Sequence, residues 1–186
     1  MDTREKLIGQ LETEPTFTVP PLNQSKVAAV LVPIGQLEDG REEIVLTKRT
    51  RTVQTHKGQV SFPGGIWEPQ DESLKRTALR ESMEEVGTHD KDIDVWGSLP
   101  MVTTRGALPI QPWVGRLRLP YPFVPCADEV DRILYLPLRQ LIQEGLKPCE
   151  VRVGGMRVQS VGIHVSGELV WGATAKVLQE LRSLLL

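Results

Sequence analysis

Apolar residues along this chain fall into runs of two different periods. Residues 26–34, KVAAVLVPI, are almost continuously apolar over the length of a strand, which predicts a central strand covered on both faces. Residues 36–42 contain Asp39-Gly40 and read as a hairpin turn into a second strand at 43–48. Further strands are expected at 93–102, which includes Trp96, and at 110–117. A proline-rich connection at 119–125 then leads to a strand that turns at Pro137 into a short helix at 138–143. Residues 151–165 read as two strands around Gly154-Gly155. Helical period governs the stretch between Ser73 and Gly87 and again 171–185, where Val177, Leu178, Leu181, Leu184 and Leu185 form one core stripe. The leading MDTREKLIGQLETEP reads as a short amphipathic helix, and Pro15, Pro20 and Pro21 impose an extended arm at 15–23. Strands alternating with helices give an α/β class. Residues 1–25 are assigned as helix and arm, and residues 26–186 as the globular domain.

The helix before Gly87 carries the chemistry. Asp71 or Ser73 can cap it, Leu74, Lys75, Arg76, Ala78, Leu79 and Arg80 favour it, and Gly87 ends it. At about 100° per residue, Leu79, Met83 and Val86 share a core face, while Glu81 and Glu85 lie nearly opposite with Glu84 and Thr77 beside them. Carboxylates at Glu81, Glu84 and Glu85 then stand about one turn apart and repel, and a divalent cation reverses the sign of that interaction. A solvated glutamate face, partly neutralised by Arg80 reaching Glu84, is the alternative. Just upstream, Phe62-Pro63-Gly64-Gly65 lets the backbone bend tightly and bring bare carbonyl and N–H groups to a metal or phosphate. Carboxylates with a carbonyl suit Mg²⁺ or Mn²⁺ better than zinc.

This stretch resembles the box of the Nudix hydrolases, G-x5-E-x7-R-E-U-x-E-E-x-G-U, with U a bulky aliphatic. Arg80, Glu81, Glu84, Glu85 and Gly87 match it directly. Ser82 and Thr88 replace the aliphatics, and the first box glutamate falls on Glu72 counting back from Arg80 or on Asp71 counting forward from Gly65. The resemblance implies an α/β/α sandwich with a mixed sheet flanked by helices, and metal-dependent hydrolysis with Mg²⁺ or Mn²⁺ as cofactor. It makes Glu81 and Glu85 the principal metal ligands, Glu84 a further ligand or the partner held by Arg80, and the Gly64 carbonyl a backbone ligand. Glu129, beside Asp128 where a strand starts, is either a ligand or general base or a solvent-facing acid.

Upstream, VLTKRTRTVQTHKGQVSFPGG resembles the signature of coenzyme A pyrophosphatases, L-L-T-x-R-[SA]-x3-R-x3-G-x3-F-P-G-G. Leu46, Thr47, Arg49, Gly58, Phe62, Pro63, Gly64 and Gly65 match. Val45 replaces a leucine, Thr50 the small residue and Gln54 the arginine, a lost charge that Arg51 could supply. The T-T-x-G-x-x-x-I-x-P-W-V-G pattern from Thr103 onward resembles the same subgroup. Arg49, Arg51, His56 and Lys57 are then substrate-binding residues on a loop beside the bend, where cations meet phosphates. The substrate implied is coenzyme A or an acyl derivative, cleaved to 4′-phosphopantetheine and adenosine 3′,5′-bisphosphate. An ADP-ribose or nucleotide-sugar pyrophosphatase and a non-catalytic nucleotide sensor are the alternatives.

Composition narrows the partners. With 186 residues, 40% hydrophobic content and a net charge of −2, the chain fits one domain with a full core and carries no footprint for nucleic-acid backbone. Its two cysteines, Cys126 and Cys149, lack metal-site spacing and read as reduced thiols, which favours the cytoplasm. The charged N-terminus is not a secretory signal, and no run approaches a membrane span. A small-molecule nucleotide is the expected partner, and a homodimer is left open.

Overall fold

A computed structural model describes residues 2–13, 26–50 and 58–186. The arm expected at 15–23 lies outside these residues, as do Arg51, Gln54, His56 and Lys57. The order is α1 (Thr3–Ile8), β1 (Ala28–Gln36), β2 (Glu42–Arg49), β3 (Val60–Ser61), β4 (Gly64–Ile66), α2 (Leu74–Val86), β5 (Ile93–Ser98), β6 (Val102–Thr103), β7 (Pro109–Arg118), β8 (Val130–Pro137), α3 (Leu138–Glu144), β9 (Lys147–Val153), β10 (Met156–Val165), β11 (Glu168–Trp171) and α4 (Gly172–Leu185).

β1 is the central strand that its apolar run predicts. It pairs in parallel with β7 along its whole length, and antiparallel with β4 at its start and β2 at its end. Because β2 meets β1 only at 34–36, the sheet opens between them, and β2 continues with β8 and β3 instead. Alternation along β1 sends Ala29 and Leu31 to one face, against Leu74, Ala78 and Leu79 of α2 and Trp113 and Leu117 of β7. Val32 and Ile34 go to the other face, against Leu7 of α1, Leu141 of α3 and Val177, Leu178 and Leu181 of α4. The result is the expected α/β/α arrangement around a mixed sheet.

Several elements differ from their sequence reading. The strand expected at 93–102 is two, β5 and β6, both paired with β7, and between them the Leu99 N–H still reaches the Pro112 carbonyl of β7. The C-terminal hairpin starts earlier, at Lys147, and gains a third strand, β11, forming a separate antiparallel sheet in the order β11-β10-β9. Its β9–β10 turn is built on Gly154 and Gly155, both at positive φ (57° and 83°). The N-terminal helix is only six residues, yet Leu7 is fully buried and Asp2 pairs with Arg116, so α1 is packed into the domain. Among the described residues no helix is long and apolar enough to cross a membrane.

Candidate active site

α2 begins where Ser73 accepts a hydrogen bond from the Arg76 N–H and ends where Gly87 takes a left-handed conformation, φ 74°. Its packed face differs from the sequence reading. Met83 is 46% exposed, whereas Leu74, Ala78, Leu79 and Val86 are buried. Thr77, Ser82 and Glu85 are buried too, so the helix is wrapped further round than an amphipathic count implies.

One of those buried polar groups, Ser82, together with the buried Thr88, bears on the departures from the Nudix pattern. Ser82 and Thr88, which occupy its aliphatic positions, are paired by a 2.8 Å hydrogen bond from the Thr88 hydroxyl to Ser82 Oγ. The Thr88 hydroxyl thereby finds an acceptor where neither group meets water. The ambiguity between Asp71 and Glu72 also resolves. Asp71 is buried and receives a two-pronged contact from Arg80, Nε to Oδ1 and Nη2 to Oδ2, both 2.9 Å, while Glu72 is exposed. Burial alone would raise the Asp71 pKa, but Arg80, the Glu68 N–H and Thr77 hold it below the usual range.

Arg80 is the hub of this side of the site. Besides Asp71, its Nη1 lies 3.0 Å from Glu84 Oε2 and 3.1 Å from Glu81 Oε1, and Nη2 donates to the Ile66 carbonyl. Glu84 is half-exposed and held at i+4, which is the Arg80-partner alternative for that residue.

The glycine bend brings the strand against these acids. Trp67 N–H to Val27 and Leu31 N–H to Pro63 frame the β1–β4 ladder, so Gly64 sits between its hydrogen-bonded pairs with N–H and C=O turned away from β1. That N–H donates to Glu85 Oε2 at 3.2 Å. At Gly65 an added Cβ would lie 2.4 Å from the Glu81 carboxylate, so only glycine leaves Glu81 its place.

Glu85 is the most buried acid of the set, its side chain 3% exposed. Burial pushes its pKa up to about 7 against the pull of Arg49 and the Gly64 N–H, with Glu129 and Glu81 adding repulsion. Burial also raises Glu81, opposed by Arg80 and reinforced by Glu84 and Glu129. Glu129, on the turn before β8, is thus close enough to act electrostatically on both helix acids. Arg49 is not on a loop: it is the last residue of β2, where a register shift after Lys48 turns it toward Glu85 (3.2 Å) and Glu129 (3.7 Å). Sequence reading placed Arg49 near phosphates but missed this carboxylate contact. Of the other predicted substrate-binding residues, Arg51, His56 and Lys57 lie outside the described residues.

As the side chains stand, no three His, Cys, Asp or Glu among the described residues converge as a ready cation cage. Glu81 and Glu84 turn to Arg80, and Glu85 to Arg49. The donor set nevertheless fits a hard divalent cation: all ligand atoms are oxygens, two carboxylates are raised by burial, and a glycine cradle lies against them.

A family model of the NUDIX domain matches residues 26–148. The chain belongs to the Nudix hydrolase family. It is 35% identical over 161 residues to an uncharacterized Nudix hydrolase NudL of Cronobacter sakazakii, spanning 86% of this chain and 82% of that one. It is 32% identical over 151 residues to Nudix hydrolase 3 of Caenorhabditis elegans, spanning 77% of this chain and 62% of the relative. Among solved structures, a C. elegans Ap4A hydrolase in a binary complex superposes with a TM-score of 0.53 at 18% identity, over 63% of this chain and 85% of that one. A MutT/nudix family protein from Enterococcus faecalis gives 0.53 at 13% identity, over 88% and 63%. These likenesses show the Nudix fold. Nudix hydrolases generally use divalent metal ions.

Proposed function

We propose that this Nudix hydrolase cleaves the diphosphate linkage of coenzyme A or an acyl-coenzyme A, yielding 4′-phosphopantetheine and adenosine 3′,5′-bisphosphate, as a cytoplasmic enzyme acting on a small molecule. The observation that carries the reading is the seat of Arg49. This cation of the upstream signature stands at the carboxylate cluster, beside the Gly64-Gly65 bend.

Glu81 and Glu85, with the Gly64 carbonyl, would hold the Mg²⁺ or Mn²⁺, and Glu84 serves as the acid that Arg80 restrains. A bound divalent cation supplies neutralisation of the diphosphate and acidification of a water. Arg80, locked by Asp71, fixes the rotamers of Glu81 and Glu84 and so the geometry of attack. Glu129 is 47% exposed at its side chain and acts electrostatically on both buried acids, which supports giving it the proton of the attacking water. Arg49 offers its guanidinium to the substrate's phosphates, with Arg51, His56 and Lys57 as further cations.

A second reading, hydrolysis of ADP-ribose or a nucleotide sugar, is favoured by Gln54, which stands where the coenzyme A signature has arginine. Initial rates with coenzyme A, dephospho-coenzyme A and ADP-ribose separate the two. Coenzyme A is expected to be fastest, and loss of the 3′-phosphate to cost about tenfold or more, the scale of charge-assisted bonds. A faster rate on ADP-ribose, with indifference to the 3′-phosphate, moves the assignment to the second reading.

A further inference from the structure

Glu85 offers two oxygens, and both are taken. Oε2 accepts the Gly64 N–H at 3.2 Å, and Oε1 faces Arg49 Nη1 at 3.2 Å. The same guanidinium reaches Glu129 through Nη2 at 3.7 Å. Its third donor is unsatisfied: Arg49 Nε is buried with no hydrogen-bond partner among the described residues. Arg80 on the other side of the cluster differs, since its Nε, Nη1 and Nη2 all meet acceptors. A buried donor without an acceptor makes Arg49 a poorer structural anchor than Arg80. What holds it is net attraction to two carboxylates that repel each other.

We propose that Arg49 is a displaceable counter-ion, capping Glu85 and Glu129 until a divalent cation takes Glu85 and frees the guanidinium for a substrate phosphate. The inference rests on the metal-dependent reading given above and adds a competition to it. A guanidinium and a divalent cation are both positive and compete for the charge of Glu85 Oε1. The position of Arg49 suits the exchange: it ends β2, just past the register shift that follows Lys48. Its neighbour Lys48 points the opposite way, pairing with Glu168, which fixes β2 while Arg49 moves. Cation arrival and phosphate capture are thereby linked, since the residue released by the first event serves the second.

The test is calorimetric titration of Mn²⁺ alone, without nucleotide, into wild type, Arg49→Gln and Arg49→Lys. Removing a competitor should tighten Mn²⁺ binding to Arg49→Gln by about tenfold or more, the scale of one charge-assisted hydrogen bond given up. Lysine cannot fork across two carboxylates, so Arg49→Lys should bind between the two. A residue that merely orients the cluster would give the opposite sign. Equal or weaker binding by folded Arg49→Gln, checked by circular dichroism, overturns the proposal. Should that variant not fold, Arg49→Lys decides it, and binding no tighter than wild type overturns it. If wild type binds Mn²⁺ but neither variant binds more tightly, the counter-ion role alone fails. If wild type shows no binding, the metal reading fails and the proposal with it.

Discussion

Glu85 combines near-complete burial with a negative charge, and its pKa of about 7 makes stability depend on pH. In the unfolded chain the group titrates near 4.5, the ordinary glutamate value. The folded state therefore holds this proton more tightly, and its contribution to stability is full below about 4.5 and is lost as pH rises through about 7. The difference is on the order of 3 kcal/mol. The metal-free protein should accordingly be more stable in denaturant melts at pH 5 than at pH 8, and Glu85→Gln should flatten that slope while abolishing turnover. A slope unchanged in Glu85→Gln would mean that another group sets it. Gly65→Ala probes the same cluster from the strand side. Its added Cβ would meet the Glu81 carboxylate while the backbone needs no unusual φ, so turnover should fall by about a hundredfold with little loss of stability. A rate within twofold of wild type would show that Glu81 has room to move without consequence.

At the scale of the element, α2 was legible in its caps and its acids but not in its packed face. Helical periodicity assigns Met83 to the core, yet Met83 is exposed and the neutral polar residues Thr77 and Ser82 are inside. The reason is pairwise chemistry that periodicity does not carry: Thr77 donates to Asp71, and Thr88 donates to Ser82. The latter pair predicts a non-additive result. Ser82→Ala should destabilise by about 1–2 kcal/mol because it strands the Thr88 hydroxyl, and Thr88→Val added to it should recover most of that loss. Additive costs in the double mutant, measured by urea unfolding, would show that the hydroxyls are satisfied independently. Asp71 was visible only as one of two registers, and the fork from Arg80 decides between them.

Across the whole molecule, apolar runs showed the α/β class because they report burial, and the family resemblance supplied the sandwich, whereas neither showed the split sheet or β11. Register and strand order depend on contacts far apart in the chain, such as β2 leaving β1 for β8. The same limit affected the N-terminal helix. Its docking onto α4 and β5 joins residues at opposite ends of the sequence, with Leu7 fully buried and the Lys6 ammonium on the Leu185 carbonyl. Leu7→Ala should cost roughly 2–4 kcal/mol, a cavity-scale loss that would be absent if the helix were a detachable appendage. Divalent cations act on the folded molecule as a whole. Binding to the native state alone should raise the melting temperature, and Glu81→Gln should blunt the rise. A wild-type melting curve indifferent to millimolar Mg²⁺ and Mn²⁺ would contradict the metal reading.

The central claim is that the α2 carboxylates, set against the Gly64-Gly65 bend, hydrolyse a diphosphate within coenzyme A. The most direct measurement is the mass of the products when coenzyme A is incubated with Mg²⁺ and either wild type or Glu85→Gln. The account predicts 4′-phosphopantetheine and adenosine 3′,5′-bisphosphate from wild type and intact coenzyme A from the variant. Intact coenzyme A with wild type, or the same products at the same rate from Glu85→Gln, would contradict it.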